Sequence, residues 1–186
     1  MNYIVTGPFC SGKSTFLKIA QEKEFKILKS DDLVSDYYND KDIINKLKEK
    51  LNVSNLKGNP KLAIRSLFLE SEKNKKIVES ILHPIIHSRI NDELSLNDNL
   101  MVEVPAISNN KALIDNNISI FIESSDVNRL KYFKAKRTND INFFNRINEY
   151  QKDYLSIKSY CDIIINNNDN VRNLYKYFDE GKLKNE

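Results

Sequence analysis

The hydrophobic and polar positions of the chain predict short strands separated by helices. Apolar runs rich in β-branched residues occur at 2–6, 25–28, 100–104, 118–123 and 162–165. Helical patterns follow at 14–23, 125–136, 142–154 and 171–178. Strands that alternate with helices indicate an α/β fold with a parallel sheet flanked by helices. Ligands of such sheets bind beyond the carboxyl ends of the strands.

The segment from about 40 to 96 has a different character. Its pattern is helical and strongly charged, and it contains no strand candidate. We expect breaks near 52–60 and at Pro84, because proline interrupts the backbone hydrogen bonding of a helix. We interpret 40–96 as a helical insertion within one domain that spans 1–186.

Composition narrows the function classes only slightly. The chain has 186 residues, of which 40% are hydrophobic, and its net charge is +3. That charge is too small and too evenly spread to predict a nucleic-acid or membrane partner. Cys10 and Cys161 form no disulfide pattern, so a cytoplasmic location is expected. The first residues enter a strand directly and no long apolar run occurs, so we expect neither a signal peptide nor a membrane span.

Residues 7–14 match a phosphate-binding motif. They read Gly-Pro-Phe-Cys-Ser-Gly-Lys-Ser, which fits G-x-x-x-x-G-K-[ST] between a predicted strand and a predicted helix. Glycines let the backbone curl so that N–H groups face phosphate oxygens. Lys13 is expected to contact the β- and γ-phosphates of ATP, and the Ser14 hydroxyl to bind Mg²⁺. The predicted ATP-binding residues are Gly7, Pro8, Phe9, Cys10, Ser11, Gly12, Lys13, Ser14 and Thr15.

Acidic residues at two predicted strand ends are candidates for the chemistry. Asp31 could orient or deprotonate an attacking hydroxyl, hold Mg²⁺ through water, or cap a helix. Capping is the expected role of Asp32. Glu103 lies in an apolar strand, where a buried carboxylate needs a partner such as a metal-bound water. The alternative for Glu103 is an exposed position at the end of the strand.

Arginines near a polar stretch predict a small lid over about 137–143. Lid arginines of phosphotransferases exclude water and stabilise the charge that is transferred. Arg137 is the candidate in the predicted loop, while Arg129 and Arg146 lie on the flanking helices. Each of these arginines could instead be an ordinary solvated charge.

Two further features have simple structural interpretations. His83 and His87 are spaced i, i+4, but no third ligand is evident nearby, so packing or pocket lining is expected rather than metal binding. Cys10 lies within the phosphate loop, where we interpret it as a spacer.

Four segments together resemble the dephospho-CoA kinase family. They are 3–15 (Tyr-Ile-Val-Thr-Gly-Pro-Phe-Cys-Ser-Gly-Lys-Ser-Thr), 81–86 (Ile-Leu-His-Pro-Ile-Ile), 102–107 (Val-Glu-Val-Pro-Ala-Ile) and 161–167 (Cys-Asp-Ile-Ile-Ile-Asn-Asn). The resemblance covers nearly the whole chain. It implies a P-loop kinase core, a helical domain that helps bind the CoA part, and a lid. It also implies phosphorylation of the ribose 3′-hydroxyl of dephospho-CoA by ATP with Mg²⁺.

The resemblance also implies which residues contact the acceptor, and at one position this chain differs from the family. The resemblance implies that His83 and Pro84 line the acceptor side of the site and that Pro105 lies next to it. The family has Asp-x-Asp after the second strand, whereas this chain has Lys29, Ser30 and Asp31. Three alternatives follow: Asp31 or Glu103 takes the role of the first Asp, the enzyme is slow but sufficient, or the chain has changed its acceptor or lost activity.

Two other functions compete with this hypothesis. One is a kinase for nucleoside monophosphates or another small acceptor, and the His-Pro and Val-Glu-Val-Pro segments argue against it. The other is a nucleotide-binding protein without catalysis, which the replacement at Lys29 favours and the retained Gly12, Lys13 and Ser14 disfavour.

Overall fold

The chain forms two compact units. The computed structural model describes residues 1–56, 58–106, 110–136, 140–152, 154–168 and 172–183. Met1–Lys29 and Leu94–Glu186 form the first unit, and Ser30–Glu93 forms the second.

The first unit is built on a five-stranded parallel sheet. Its strands are β1 (Tyr3–Thr6), β2 (Lys26–Lys29), β3 (Leu100–Glu103), β4 (Ile118–Glu123) and β5 (Ile163–Asn166). Their order is β2-β3-β1-β4-β5, and each neighbouring pair is parallel. The predicted α/β fold class is confirmed, and each strand end agrees with the sequence pattern to within about one residue.

Helices connect and cover these strands. In the first unit they are α1 (Lys13–Glu22), α6 (Lys111–Asp115), α7 (Asp126–Lys136), α8 (Ile141–Tyr150), α9 (Tyr154–Lys158) and α10 (Arg172–Asp179). The second unit contains α2 (Ser30–Tyr37), α3 (Lys41–Leu51), α4 (Pro60–Glu70) and most of α5 (Glu72–Leu96). None of the helices in the described ranges combines the length and apolar composition that crossing a bilayer requires.

Both faces of the sheet are covered by apolar side chains. On one face, Val5 and Ile122 pack in a cluster with residues of α1 and α10, where the rings of Phe16 and Phe178 lie 5.0 Å apart. On the other face, the ring of Phe121 stacks on that of Tyr154 from α9. Burying each large apolar side chain stabilises the fold by about 1.5–3 kcal/mol. This two-sided burial explains why the strands read as continuous apolar runs.

The break expected at Pro84 does not occur. α5 runs without interruption from Glu72 to Leu96 with Pro84 in its interior. Apolar residues continue at helical spacing on both sides of the proline, and Val78, Leu82, Ile86 and Ile90 are buried. Burial of this stripe offsets the cost of about 3 kcal/mol that a proline imposes on a helix interior.

A second prediction was wrong near the C-terminal part of the chain. The helix predicted over 142–154 ends at Tyr150, and a separate short helix, α9, begins at Tyr154. Gln151 terminates α8, since its N–H still donates to the carbonyl of Ile147 while its own backbone leaves the helical course. The short helix α6 was not predicted.

The second unit contains only helices among its described residues. Asp40 and Asn59 begin α3 and α4 by accepting hydrogen bonds from backbone N–H groups of the first turn. Leu47 and Ile64 are fully buried. The unit starts at Ser30 and ends at Glu93, against the predicted 40–96, and its role in acceptor binding remains a prediction.

Candidate nucleotide site at the phosphate loop

The loop between β1 and α1 requires glycine at both motif positions. Gly7 and Gly12 have φ angles of 143° and 108°. A Cβ on Gly7 would lie 2.2 Å from the backbone oxygen of Ile122, and one on Gly12 would lie 2.2 Å from Nδ2 of Asn167. The curled backbone is therefore packed directly against β4 and against the segment that follows β5.

Lys13 lies across this curled loop. Its Nζ donates hydrogen bonds to the carbonyl oxygens of Gly7 at 2.9 Å and Pro8 at 3.1 Å. The N–H groups of Thr15 and Phe16 donate to the carbonyl of Gly12 and close the first turn of α1. The loop thus combines a lysine ammonium with the N-terminus of a helix, an arrangement that favours bound phosphate.

Asn167 supports the loop from the end of β5. Its Nδ2 donates to the carbonyl oxygen of Ser11 at 2.9 Å, and its backbone N–H donates to the carbonyl of Glu123 at 2.9 Å. Only 5% of Asn167 is exposed. The sequence indicated a polar turn here, and the fourth segment of the resemblance includes this residue, but its contact with Ser11 was not predicted.

Two buried side chains contact the backbone of Phe9. The N–H of Phe9 donates to Oε1 of Gln151 at 2.7 Å, and the guanidinium of Arg129 donates to the carbonyl of Phe9 at 3.1 Å. Arg129 is 2% exposed and Gln151 is 7% exposed. The structure thus places Arg129 in the interior, so it is not an ordinary solvated charge. Sequence reasoning missed Gln151 altogether.

The sheet register places Glu103 beside the loop. Glu103 pairs with Val5 on β1 and with Lys29 on β2. Residues in register on parallel strands project from the same face, so Lys29 and Glu103 are neighbours at the carboxyl edge. Two residues after Glu103, the carbonyl of Pro105 accepts a hydrogen bond of 2.8 Å from Nδ2 of Asn110. The first unit therefore holds Glu103, Lys29 and the phosphate loop on adjacent strands.

Comparison with known proteins identifies the family. The family model for dephospho-CoA kinase matches residues 3–173. The chain belongs to the dephospho-CoA kinase family. It is 31% identical to a dephospho-CoA kinase of Borreliella burgdorferi over 185 residues, which cover 95% of this chain and 88% of that protein. Membership makes the chain a phosphotransferase that uses ATP to phosphorylate dephospho-CoA.

Solved structures agree on the fold. A Thermus thermophilus protein superposes with a TM-score of 0.80 at 17% identity, covering 99% of this chain and 98% of that one. The dephospho-CoA kinase of Campylobacter jejuni gives 0.66 at 20% identity, covering 98% of both chains. Shikimate kinase of Bacteroides thetaiotaomicron gives 0.57 at 10% identity, covering 98% and 96%. These neighbours show that the fold is that of P-loop kinases.

Asp31, a predicted catalytic residue, lies in the second unit. Asp31 and Asp32 are exposed in the first turn of α2, where the helix dipole favours carboxylates. The carbonyl oxygen of Asp31 accepts a hydrogen bond of 2.8 Å from Oγ of Ser35. The first turn of a helix thus fixes the backbone of Asp31, while its role toward a substrate remains a prediction.

The His-Pro segment lies in the middle of α5. The rings of His83 and His87 stack with centroids 5.8 Å apart, and Pro84 is exposed. Burial lowers the pKa of His83 from 6.5 to about 4, and the neighbouring His87 contributes to the same shift. His83 is therefore a neutral imidazole at physiological pH, able to donate one hydrogen bond and accept another.

Arg137 lies outside the described residues. Within the predicted lid range, Asp140 caps α8 by accepting a hydrogen bond of 2.9 Å from the N–H of Phe143. Arg146 is exposed on the same helix. The lid itself stays a prediction.

The donor chemistry of the loop fits Mg²⁺. Ser14 is exposed in the first turn of α1, and its hydroxyl is the hard oxygen ligand that Mg²⁺ prefers. The described residues contain no group of three or more His, Cys, Asp or Glu side chains placed to hold a metal ion.

Proposed function

We propose that the protein transfers the γ-phosphoryl group of ATP to the ribose 3′-hydroxyl of dephospho-CoA, which yields ADP and coenzyme A. The observation that carries this proposal is the phosphate loop, across which Lys13 is hydrogen-bonded. The loop belongs to a chain whose family match spans 3–173. Small molecules are then its substrates on both sides of the reaction. We place the enzyme in the cytoplasm, with no nucleic-acid or membrane partner.

The donor side rests on the loop and on Lys13. Backbone N–H groups of the curled segment and the N-terminus of α1 attract the phosphates. The Lys13 ammonium has three donors and lies on the loop carbonyls, so small rotations bring it to the β- and γ-phosphates. Its charge offsets the negative charge that spreads over the transferred group in the transition state.

A magnesium ion completes the donor side. The Ser14 hydroxyl would hold it directly and Glu103 through a bound water. When bound, the ion neutralises charge on the β- and γ-phosphate oxygens. Two positions support this proposal: Ser14 lies in the first turn of α1, and Glu103 lies at the end of the adjacent strand in register with Val5.

The acceptor hydroxyl requires a group that orients it and accepts its proton. Glu103 and Asp31 are the candidates, because Lys29 occupies the place of the family's first Asp. The register that sets Glu103 beside Val5 supports Glu103, since Val5 lies close to the loop that binds the donor. The ammonium of Lys29 would pair with the developing charge at this edge of the sheet. Most catalysis of phosphoryl transfer is positioning and electrostatics, so this exchange of groups is compatible with turnover.

The remaining predicted residues shape the acceptor side. His83 and Pro84 would line it from the helical unit, with a neutral imidazole able to hydrogen-bond the acceptor. Pro105 would contact the acceptor from the end of β3, where Asn110 fixes its carbonyl group. Arg137 would close the lid over the phosphates.

The product of the reaction tests this proposal. Purified protein is incubated with MgATP and dephospho-CoA, and the products are followed by ³¹P NMR. The proposal expects ADP and a new phosphomonoester on the ribose 3′-oxygen in equal amounts. ADP without a new phosphomonoester would mean ATP hydrolysis, and a phosphomonoester at another position would mean a different acceptor geometry. Either result would reject the proposal.

A further inference from the structure

The backbone of Phe9 is held from both sides by side chains of α7 and the end of α8. Gln151 accepts the hydrogen bond of the Phe9 N–H, and Arg129 donates to the Phe9 carbonyl. These contacts join residues that are 142 and 120 positions apart in the chain. The third residue of the phosphate loop is therefore tied to the pair of helices α7 and α8.

The ring of Phe9 packs against the same two helices, α7 and α8. Its centroid lies 5.9 Å from that of Phe133, 6.0 Å from that of Phe143 and 6.2 Å from that of Phe144. Aromatic rings at these separations attract one another beyond simple burial. The aromatic contacts and the two hydrogen bonds together define both the position and the orientation of Phe9.

Arg129 is held as part of a hydrogen-bonded network. Its guanidinium donates to Asp126 at 2.7 Å and to Asn148 at 2.7 Å, in addition to the Phe9 carbonyl. It also lies over the rings of Phe144 and Tyr154. A guanidinium that is 2% exposed is costly unless it is hydrogen-bonded in this way. The planar fork of arginine donates to these three acceptors from two nitrogens in fixed directions, a geometry that the single nitrogen of a lysine ammonium does not reproduce.

We infer that Arg129 and Gln151 are positioning residues that set the phosphate loop for ATP. The inference rests on the proposed function only in taking ATP as the ligand of the loop. In a trans peptide the carbonyl and the N–H of the next residue point in opposite directions. The hydrogen bond from Arg129 to the Phe9 carbonyl therefore also fixes the direction of the Cys10 N–H. Cys10 itself has a φ of 61°, the turn that lets successive N–H groups converge on an anion.

Variants at Gln151 separate this role from fold stability. Gln151→Glu keeps the oxygen that accepts from the Phe9 N–H, whereas Gln151→Met keeps the length and removes the acceptor. Lys152→Met is the matched control, because Lys152 is the next residue and its side chain is 67% exposed. Binding of MgADP is measured by isothermal titration calorimetry, and the unfolding temperature of each variant without nucleotide is measured alongside.

The inference predicts a distinct order of affinities. Gln151→Met weakens MgADP binding about tenfold, the effect of losing one well-formed hydrogen bond to the loop. Gln151→Glu and Lys152→Met stay within about twofold of the unaltered protein. In steady-state kinetics, the KM for ATP rises in Gln151→Met while the KM for dephospho-CoA stays constant. Arg129→Lys, which retains the charge without the fork, behaves like Gln151→Met.

Two results would overturn the inference. One is unchanged MgADP affinity in Gln151→Met, and the other is an equal loss in Gln151→Glu and Gln151→Met. Because MgADP binding needs no acceptor, failure of the proposed reaction with dephospho-CoA would leave this measurement interpretable. Conversely, an enzyme active on dephospho-CoA with unchanged affinity in Gln151→Met would reject only the positioning role.

Discussion

The side-chain amide of Asn167 donates a hydrogen bond of 2.9 Å to the carbonyl oxygen of Ser11. The same amide nitrogen would lie 2.2 Å from a Cβ placed on Gly12. One asparagine at the end of β5 thus fixes the phosphate loop through a hydrogen bond and also limits the size of the residue that precedes Lys13. The loop is a product of the whole sheet, and its motif alone does not define it.

This contact predicts that substitutions at Gly12 and Asn167 are coupled. Gly12→Ala should destabilise the fold by about 2–4 kcal/mol, through backbone strain and the clash with the asparagine side chain. In an Asn167→Ala background the clash is removed, so the added cost of Gly12→Ala should fall by at least about 1 kcal/mol. Urea unfolding of the two single variants and the double variant measures this coupling.

Gly181→Ala provides the control for backbone strain. Gly181 has a φ of 66°, and a Cβ added there would have open space within 4 Å. The substitution should therefore destabilise the fold by only about 1 kcal/mol, the usual penalty for a left-handed residue that carries a Cβ. Additive effects of Gly12→Ala and Asn167→Ala would contradict the proposed packing.

Lys13→Ala should abolish most phosphoryl transfer without unfolding the protein. The ammonium is the main side-chain charge that the loop offers to the transferred group, so we expect kcat to fall by at least about a hundredfold. Lys18→Ala is the matched control, because Lys18 lies on the same helix with its side chain exposed. Full activity of Lys13→Ala, with Lys18→Ala also active, would refute the mechanism on the donor side.

The two candidate acids can be separated by amide substitutions. Glu103→Gln and Asp31→Asn should each lower kcat by more than about tenfold, within the usual contribution of positioned acid–base catalysis. Asp32→Asn, the exposed neighbour of Asp31, should leave kcat unchanged. A normal kcat for Glu103→Gln would assign the role to Asp31 alone, and the reverse result would assign it to Glu103.

The half-buried imidazole of His83 should make stability depend on pH. Its pKa is about 4 when folded and 6.5 ordinarily, so the unfolded chain binds a proton in that window and the folded chain does not. Stability is therefore complete above pH 6.5 and declines as the pH falls toward 4. Without solvent screening, a pKa shift of this size would correspond to about 3 kcal/mol of stability. Solvent screening of this partly exposed ring reduces the effect to about 1–2 kcal/mol.

Thermal unfolding between pH 7 and pH 4 measures this dependence. His83→Gln should remove most of it, because glutamine does not titrate. His87→Gln should retain most of it, since burial is the larger cause of the shift and the neighbouring histidine the smaller. An equal pH dependence in His83→Gln and the unaltered protein would show that other groups titrate on unfolding.

Local sequence patterns were sufficient to predict the sheet and the phosphate loop. The apolar strands and the glycine–lysine motif depend on residues that are close together in the chain. Four of the helices were also expected from their periodicity. The interruption expected at Pro84 does not occur. Burial of the apolar stripe on both sides of the proline outweighs the local cost of a proline within a helix.

Contacts between distant residues could not be predicted from the sequence. Arg129 lies in a segment of mixed charged and apolar residues, which gave no sign that it would be buried against Phe9. Gln151 was placed inside a predicted helix, where its side chain had no assigned partner. Both contacts depend on how α7 and α8 pack beside the phosphate loop, and periodicity within one segment does not contain that information.

Acceptor specificity tests the central claim most directly. The kcat/KM for ADP formation is measured with MgATP and, in turn, dephospho-CoA, a panel of nucleoside monophosphates, shikimate and no acceptor. We predict turnover with dephospho-CoA that exceeds every other acceptor by at least about a hundredfold, the discrimination that a site with hydrogen-bonding groups can supply. Faster turnover with another acceptor, or ATP binding with no turnover on dephospho-CoA, would contradict the account.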